Sequence, residues 1–241
     1  MCPYVVVGDR GTIRVSDDLG ETWHAPTSPA TAAALRGLVA HCPFRIGIAV
    51  GDDGTVLVAS GDLETWRARV SGTDQRLQAV ALARPVAVAV GDGGTIVRSG
   101  DEGETWAPVP VDTTADLRTV ALTSSGGGPA MGMIGAADGA LLVSRDDGET
   151  WDRINPGFTP PIRQIHVGGY EVDGATLLSA TILAEGGLWA WHEAEGGLTR
   201  THWLDLPAYA FTHASAPGGP SALTVLVDGA AVVYRYCMGC D

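Results

Sequence analysis

Short apolar runs recur along the chain, each cut off by glycine and aspartate. Tyr4–Gly8 (YVVVG), Arg45–Gly51 (RIGIAVG), Val86–Gly91 (VAVAVG) and Ala130–Gly135 (AMGMIG) are apolar on both faces. That is the pattern of strands covered from two sides. Each run meets a small turn: Gly8-Asp9-Arg10-Gly11, Gly51-Asp52-Asp53-Gly54, Gly91-Asp92-Gly93-Gly94 and Ala136-Ala137-Asp138-Gly139. A further strand follows each turn, over Thr12–Ser16, Thr55–Ala59, Thr95–Ser99 and Ala140–Ser144. That strand runs into a box of the form Ser-x-Asp-x-Gly-x-Thr-Trp. The box is complete at Ser16–Trp23, Ser99–Trp106 and Ser144–Trp151, and worn at Ala59–Trp66.

The spacing is regular. From the last glycine of the turn to the tryptophan of the box is 12 residues in all four copies, and the tryptophans are 43, 40 and 45 residues apart. Turn chemistry accounts for the box. Its serine and aspartate accept hydrogen bonds from turn amides, and its glycine supplies a positive φ. Its threonine and tryptophan start the next strand, the indole filling a gap between packed layers. The box is read as structural rather than catalytic.

A period near 43 with several short strands per unit predicts an all-β fold, a β-propeller of four-stranded antiparallel blades. The units span approximately 1–26, 35–70, 77–109, 117–154, 162–206 and 209–241, forming one domain. Thr27–Ala34 is a linker, and Ser124–Gly128 is a loop inside the fourth unit. Past Asn155 the boxes disappear and strands are read from apolar runs alone. The expected total is 22 strands, against 24 for six complete blades. The first blade lacks its inner strand and the last its outer one. Six blades is the expectation; five blades with extra C-terminal strands is the alternative.

The Ser-x-Asp-x-Gly-x-Thr-Trp boxes resemble those of the Asp-box, or bacterial neuraminidase repeat, propellers. The fuller unit Ala89–Ser99, running into its box, is similar to repeats of the photosystem II stability/assembly factor family. The resemblance is strong over roughly residues 1–155 and faint beyond. Asp-box propellers include sialidases, xyloglucan hydrolases, sortilin-type receptors and assembly factors. The resemblance therefore implies the fold and leaves the activity open.

Charge narrows the partners. Lys and Arg number 15 against 28 Asp and Glu, a net charge of −13, so a nucleic-acid partner is not expected. No apolar run is long enough to span a membrane as a helix. Met1-Cys2-Pro3-Tyr4 leads straight into a strand with no signal-peptide pattern, so a cytoplasmic location is expected.

Three groups are candidate sites. The turns all fall at one channel mouth, which gathers Asp9, Arg10, Asp52, Asp53, Asp92, Asp138 and Asp228. Such a ring would take a cation or a basic ligand, though aspartate is also a common turn residue. Cys2, Cys42, Cys237 and Cys240 fall at the opposite end, in blades adjacent through ring closure; they would hold zinc or form disulfides. Trp189 and Trp191 share one strand face by alternation, a platform for sugar or packing between blades. Phe44-Arg45-Ile46-Gly47 resembles a sialidase signature with glycine in place of proline, and is read as a strand start. No phosphate loop, nucleophile elbow or zinc-protease motif occurs. The expected function is a non-enzymatic scaffold binding a protein or small ligand at one mouth. The alternative is a sugar-directed protein, either a glycosidase-like enzyme or a lectin.

Overall fold

The computed structural model describes residues 3–27, 31–41, 46–61, 63–124, 128–154, 161–172, 175–184, 187–192, 197–199, 208–214, 221–227 and 230–236. These residues form six antiparallel sheets and no α-helix. The first sheet holds β1 (Tyr4–Val7) and β2 (Ile13–Ser16). The second holds β3 (Leu35–His41), β4 (Ile46–Gly51), β5 (Val56–Ser60) and β6 (Trp66–Arg69). The third holds β7 (Leu77–Ala83), β8 (Val86–Gly91), β9 (Ile96–Ser99) and β10 (Ala107–Pro108). The fourth holds β11 (Leu117–Thr123), β12 (Met131–Ala136), β13 (Leu141–Ser144) and β14 (Asp152–Ile154). The fifth holds β15 (Ile162–Val172), β16 (Ala175–Ala184), β17 (Gly187–His192) and β18 (Gly197–Thr199), and the sixth β19 (Ala208–Ala214), β20 (Ser221–Val227) and β21 (Ala230–Tyr236). Within each sheet the strands pair in chain order. No helix among the described residues is long and apolar enough to cross a membrane.

The first strands of sheets two to five lie against one another in series, β3 on β7, β7 on β11 and β11 on β15. They therefore occupy the centre, and later strands step outwards. The two-sided apolar pattern follows from this stacking. Val86, Val88 and Val90 of β8 enter the core shared with the fourth sheet, while Ala87 and Ala89 enter the core shared with the second. Large residues on one face and small ones on the other let neighbouring sheets interlock. Gly47 and Gly132 leave room for their own unit's indole: a Cβ at Gly47 would lie 2.7 Å from Trp66, and one at Gly132 would lie 3.2 Å from Trp151.

The three complete boxes share one hydrogen-bond pattern. In the third unit Ser99 Oγ donates to Asp101 Oδ1 (2.7 Å) and accepts from the Gly103 amide (2.8 Å). Asp101 accepts from the Thr105 amide (2.8 Å) and hydroxyl (2.6 Å), and the Trp106 indole donates to the Gly103 carbonyl (2.8 Å). Ser16–Trp23 and Ser144–Trp151 repeat these bonds. The box also reaches the preceding unit. Glu64 meets His24 at 2.7 Å, and Glu104 meets Arg69 at 2.6 Å. The Glu64 hydrogen bond raises the His24 pKa.

Hydrogen bonds from Thr105, first its hydroxyl and then its amide, hold the Asp101 carboxyl down to about 2, and Thr22 does the same for Asp18. The folded state thus binds fewer protons than the unfolded chain. This contribution is complete above the ordinary carboxylate pKa of about 4 and is lost as pH falls towards 2. Asp101→Asn is expected to cost about 1–2 kcal/mol at pH 7. It should also flatten the loss of stability between pH 4 and pH 2, read by urea unfolding across that range.

One strand expectation is corrected. The strand foreseen over Thr22–Pro26 shrinks to a single bridge between Val15 and His24, giving 21 strands among the described residues. Pro26 has no amide to donate, and the Thr27 amide bonds instead to the Glu64 carbonyl of the second unit (3.0 Å).

Candidate functional site at the turn end of the sheets

The Gly-Asp turns are single 3-10 turns with a left-handed middle residue: Arg10 (φ 55°), Asp53 (φ 56°) and Gly93 (φ 62°). The turns of the second, third and fourth units are clamped to the segments leading into their first strands. The Asp52 amide donates to the Ala34 carbonyl (2.9 Å), the Asp92 amide to Arg76 (3.0 Å) and the Ala137 amide to Asp116 (2.8 Å). The clamp brings the start of each first strand beside the turn. There, every first strand carries a one-residue bulge. The residues it sets out of register are Arg36, Gln78, Arg118, Arg163 and Tyr209.

The bulge residues change the electrostatics of this end. Arg36 forks onto Asp52, with Nε at 3.1 Å from Oδ1 and Nη2 at 3.0 Å from Oδ2, and its Nη1 lies 3.8 Å from Asp9. Arg76 Nε contacts Asp52 at 2.9 Å, and its Nη1 lies 3.5 Å from Asp92. Gln78 donates to Asp92. Acids and arginines therefore alternate, Asp9–Arg36–Asp52–Arg76–Asp92. The hydrogen bond from Arg36 is the main cause that holds the Asp52 carboxyl below the usual carboxylate range.

The fourth unit breaks the alternation. Ala137 takes the place in the turn that Asp9, Asp52 and Asp92 hold in the others. Asp138 sits one position later and pairs with Arg153 of β14 (Nη2 to Oδ2, 2.5 Å). Arg118 is exposed and makes no ion pair with any described residue; the same is true of Arg163. This sector presents two guanidinium groups with no carboxylate of their own among the described residues.

The sequence candidates thus separate. Asp9, Arg10, Asp52, Asp53, Asp92 and Asp138 lie at this end, but in two different turn positions. Among the described residues no group of three His, Cys, Asp or Glu side chains is placed to hold a metal ion. Asp228, Cys2, Cys42, Cys237, Cys240, Phe44 and Arg45 lie outside the described residues. Trp191 is 4% exposed in the core between the fourth and fifth sheets, with Trp189 packed against the same cluster. Arg36, Arg118 and Arg163 were not foreseen. Their signal was one column of the repeat, the residue after the leading Leu or Ile: Leu35-Arg36, Leu77-Gln78, Leu117-Arg118 and Ile162-Arg163.

No protein-family model matches the sequence, and no curated protein does. Solved structures do match. YCF48 from Cyanidioschyzon merolae aligns at 16% identity with a TM-score of 0.54, over 80% of this chain and 65% of that one. The structure of YCF48 bound to D1 peptide aligns at 13% identity and TM-score 0.52, over 99% of this chain and 89% of that one. U3-55K aligns at 16% identity and TM-score 0.69, over 93% of this chain and 70% of that one. The chain is a β-propeller. An ancestral GH74 enzyme also aligns, at 12% identity and TM-score 0.67, over 92% of this chain and 36% of that one. This propeller therefore spans about two thirds of the C. merolae protein and about a third of the GH74 enzyme. At these identities the likeness carries the fold.

Proposed function

We propose that this propeller is a non-catalytic scaffold that takes an acidic peptide segment of a partner protein at the turn end of its sheets. The observation that carries the reading is Arg118, exposed at a first-strand bulge where Ala137 replaces the aspartate of the sibling turns. With Arg163 it offers planar forks that suit carboxylates. The mouth arginines of the second and third units are already occupied by Asp52 and Asp92, so the binding is local to the fourth and fifth units. The solved structure of YCF48 with D1 peptide supports the reading, since it is a protein of this fold with a bound peptide.

The box resemblance fits a scaffold as well. Its carboxylates are consumed by turn hydroxyls and amides, leaving no acid–base pair there. The carbohydrate alternative loses its aromatic platform, because Trp191 is core. Titration calorimetry with an aspartate- and glutamate-rich peptide, its lysine counterpart and a xyloglucan oligosaccharide tests the reading. Binding of the acidic peptide alone is expected. Binding or cleavage of the oligosaccharide, with no response to the acidic peptide, would overturn it.

A further inference from the structure

The box end of the sheets holds a gap of its own, apart from the arginine sector at the turn end. In the three complete boxes the threonine is spent on its own aspartate. Thr22, Thr105 and Thr150 each give amide and hydroxyl to Asp18, Asp101 and Asp146. The worn box has Ala59 in place of the serine and Gly61 in place of that aspartate. Its threonine, Thr65, is exposed, and its hydroxyl has no such carboxylate to take it.

The charges around Thr65 are unbalanced as well. The box glutamate of each later sheet reaches back to one base of the sheet before: Glu64 to His24 (2.7 Å), Glu104 to Arg69 (2.6 Å) and Glu149 to Arg98 (3.6 Å). Between the second and third sheets a second base stands beside the pair. Arg67 of β6 is exposed and makes no ion pair with any described residue. The columns that carry Arg67 and Arg69 hold His24 and Pro26 in the first unit, and Ala107 and Val109 in the third. Two guanidinium groups thus share one carboxylate, a local positive excess on a chain of net charge −13.

These groups surround one cavity of about 180 Å³, lined by Val58, Ser60, Thr65, Arg67, Arg69 and Glu104. The column that holds Val58 here carries Arg98 in the third unit, where the guanidinium lies across the gap to the fourth sheet and its Nε donates to the Asp147 carbonyl (2.7 Å). Valine in that place leaves the space open. We propose that the cavity binds a single phosphate group, as the free ion or as a phosphomonoester. It is smaller than the roughly 300–1,000 Å³ of ordinary small-molecule pockets, so it suits one compact group. The donors come from three elements: Ser60 at the end of β5, Thr65 in the box and Arg67 on β6. A tetrahedral oxyanion accepts from several directions at once, whereas a planar carboxylate is met by a single fork. Arg69 is held by Glu104 through Nε (3.2 Å) and Nη2 (2.6 Å), which leaves Arg67 as the principal cation.

The test is an NMR titration of the full chain with inorganic phosphate, at an ionic strength held constant with sodium chloride. The Thr65 amide and the Nε–H signals of Arg67 and Arg69 report on the cavity. Saturable shifts at all three are expected, with the Gly-Asp turns unmoved. Arg67→Gln is expected to weaken binding about tenfold and Thr65→Val about threefold. Neither should shift the melting temperature appreciably, because both side chains are exposed. A phosphoserine peptide titrated in parallel separates the two sources. Tighter binding than the free ion marks a phosphomonoester and weaker binding the free ion, and both uphold the site. Three results would overturn the proposal. Shifts that rise without saturation, or that chloride alone reproduces, would mean screening and no site. Acetate bound as tightly as phosphate would make this a carboxylate site. Phosphate binding that appears only in Asp62→Asn would mean that the chain's own acid, which lies outside the described residues, fills the cavity. Arg118→Glu should leave phosphate binding unchanged, so this proposal and the acidic-peptide reading fail separately.

Discussion

Gly54→Ala is expected to destabilise the propeller by more than about 3 kcal/mol, a magnitude reserved for a few named mechanisms. Two of them coincide here. Gly54 sits at φ +63°, a conformation that costs a side-chain-bearing residue about 1–2 kcal/mol. A Cβ would also lie 1.8 Å from the Thr73 carbonyl oxygen and 2.8 Å from its carbon. These are backbone atoms that no rotamer change can move. The Gly54 amide donates to the Gln75 carbonyl (3.0 Å), so relief of the clash pulls the second unit's turn away from the segment entering the third. Arg76, next along that segment, would be drawn off Asp52. Gly93→Ala is the matched control. Gly93 has φ +62° with nothing within 4 Å of its would-be Cβ, so only the conformational cost of about 1–2 kcal/mol applies. Urea unfolding of the two variants separates clash from conformation. Equal losses in both would contradict the clamp.

The turn and box were legible because each is local. Both are written within a dozen residues, both repeat, and glycine at a left-handed position has few alternatives. The two-sided apolar strands were legible for the same reason. What stayed hidden depends on neighbours. Asp52 reads as a free turn carboxylate until Arg36 and Arg76, 16 and 24 residues away, are seen to fold onto it. Asp138 reads as a ring member until the register shows it one turn position late, facing Arg153. The outer strand of the first unit was lost because Thr27 found a better acceptor in another unit. Trp189 and Trp191 alternate as a surface pair would, yet the fourth sheet covers them. Alternation tells which residues share a face and not what lies opposite.

Arg118→Glu is expected to weaken acidic-peptide binding about 10- to 100-fold, since it removes a charge-assisted fork and adds repulsion. The melting temperature should change little, because Arg118 is exposed and has no ion pair with a described residue to lose. Ala137→Asp reaches the same end without touching the arginine. It restores the carboxylate that the sibling turns carry and gives Arg118 an internal partner, as Asp52 is to Arg36. A loss of about tenfold is expected. Arg10→Glu, in a turn three sheets away, should have a smaller effect than either. Calorimetric titration of the three variants ranks them, and an Arg10 effect as large as that of Arg118 would point to the whole mouth rather than the fourth unit.

The gap in the charge alternation at Ala137 is the proposed binding site. The most direct test is an NMR titration of isotope-labelled protein with the acidic peptide, following backbone amides and arginine Nε–H signals. The largest shifts are expected at Arg118, Arg163 and the Ala136–Gly139 turn, with smaller ones at Arg36 and Arg76, whose guanidinium groups are already paired. Shifts concentrated instead at the box threonines Thr22, Thr105 and Thr150, or along β17, would place the ligand elsewhere and contradict the account.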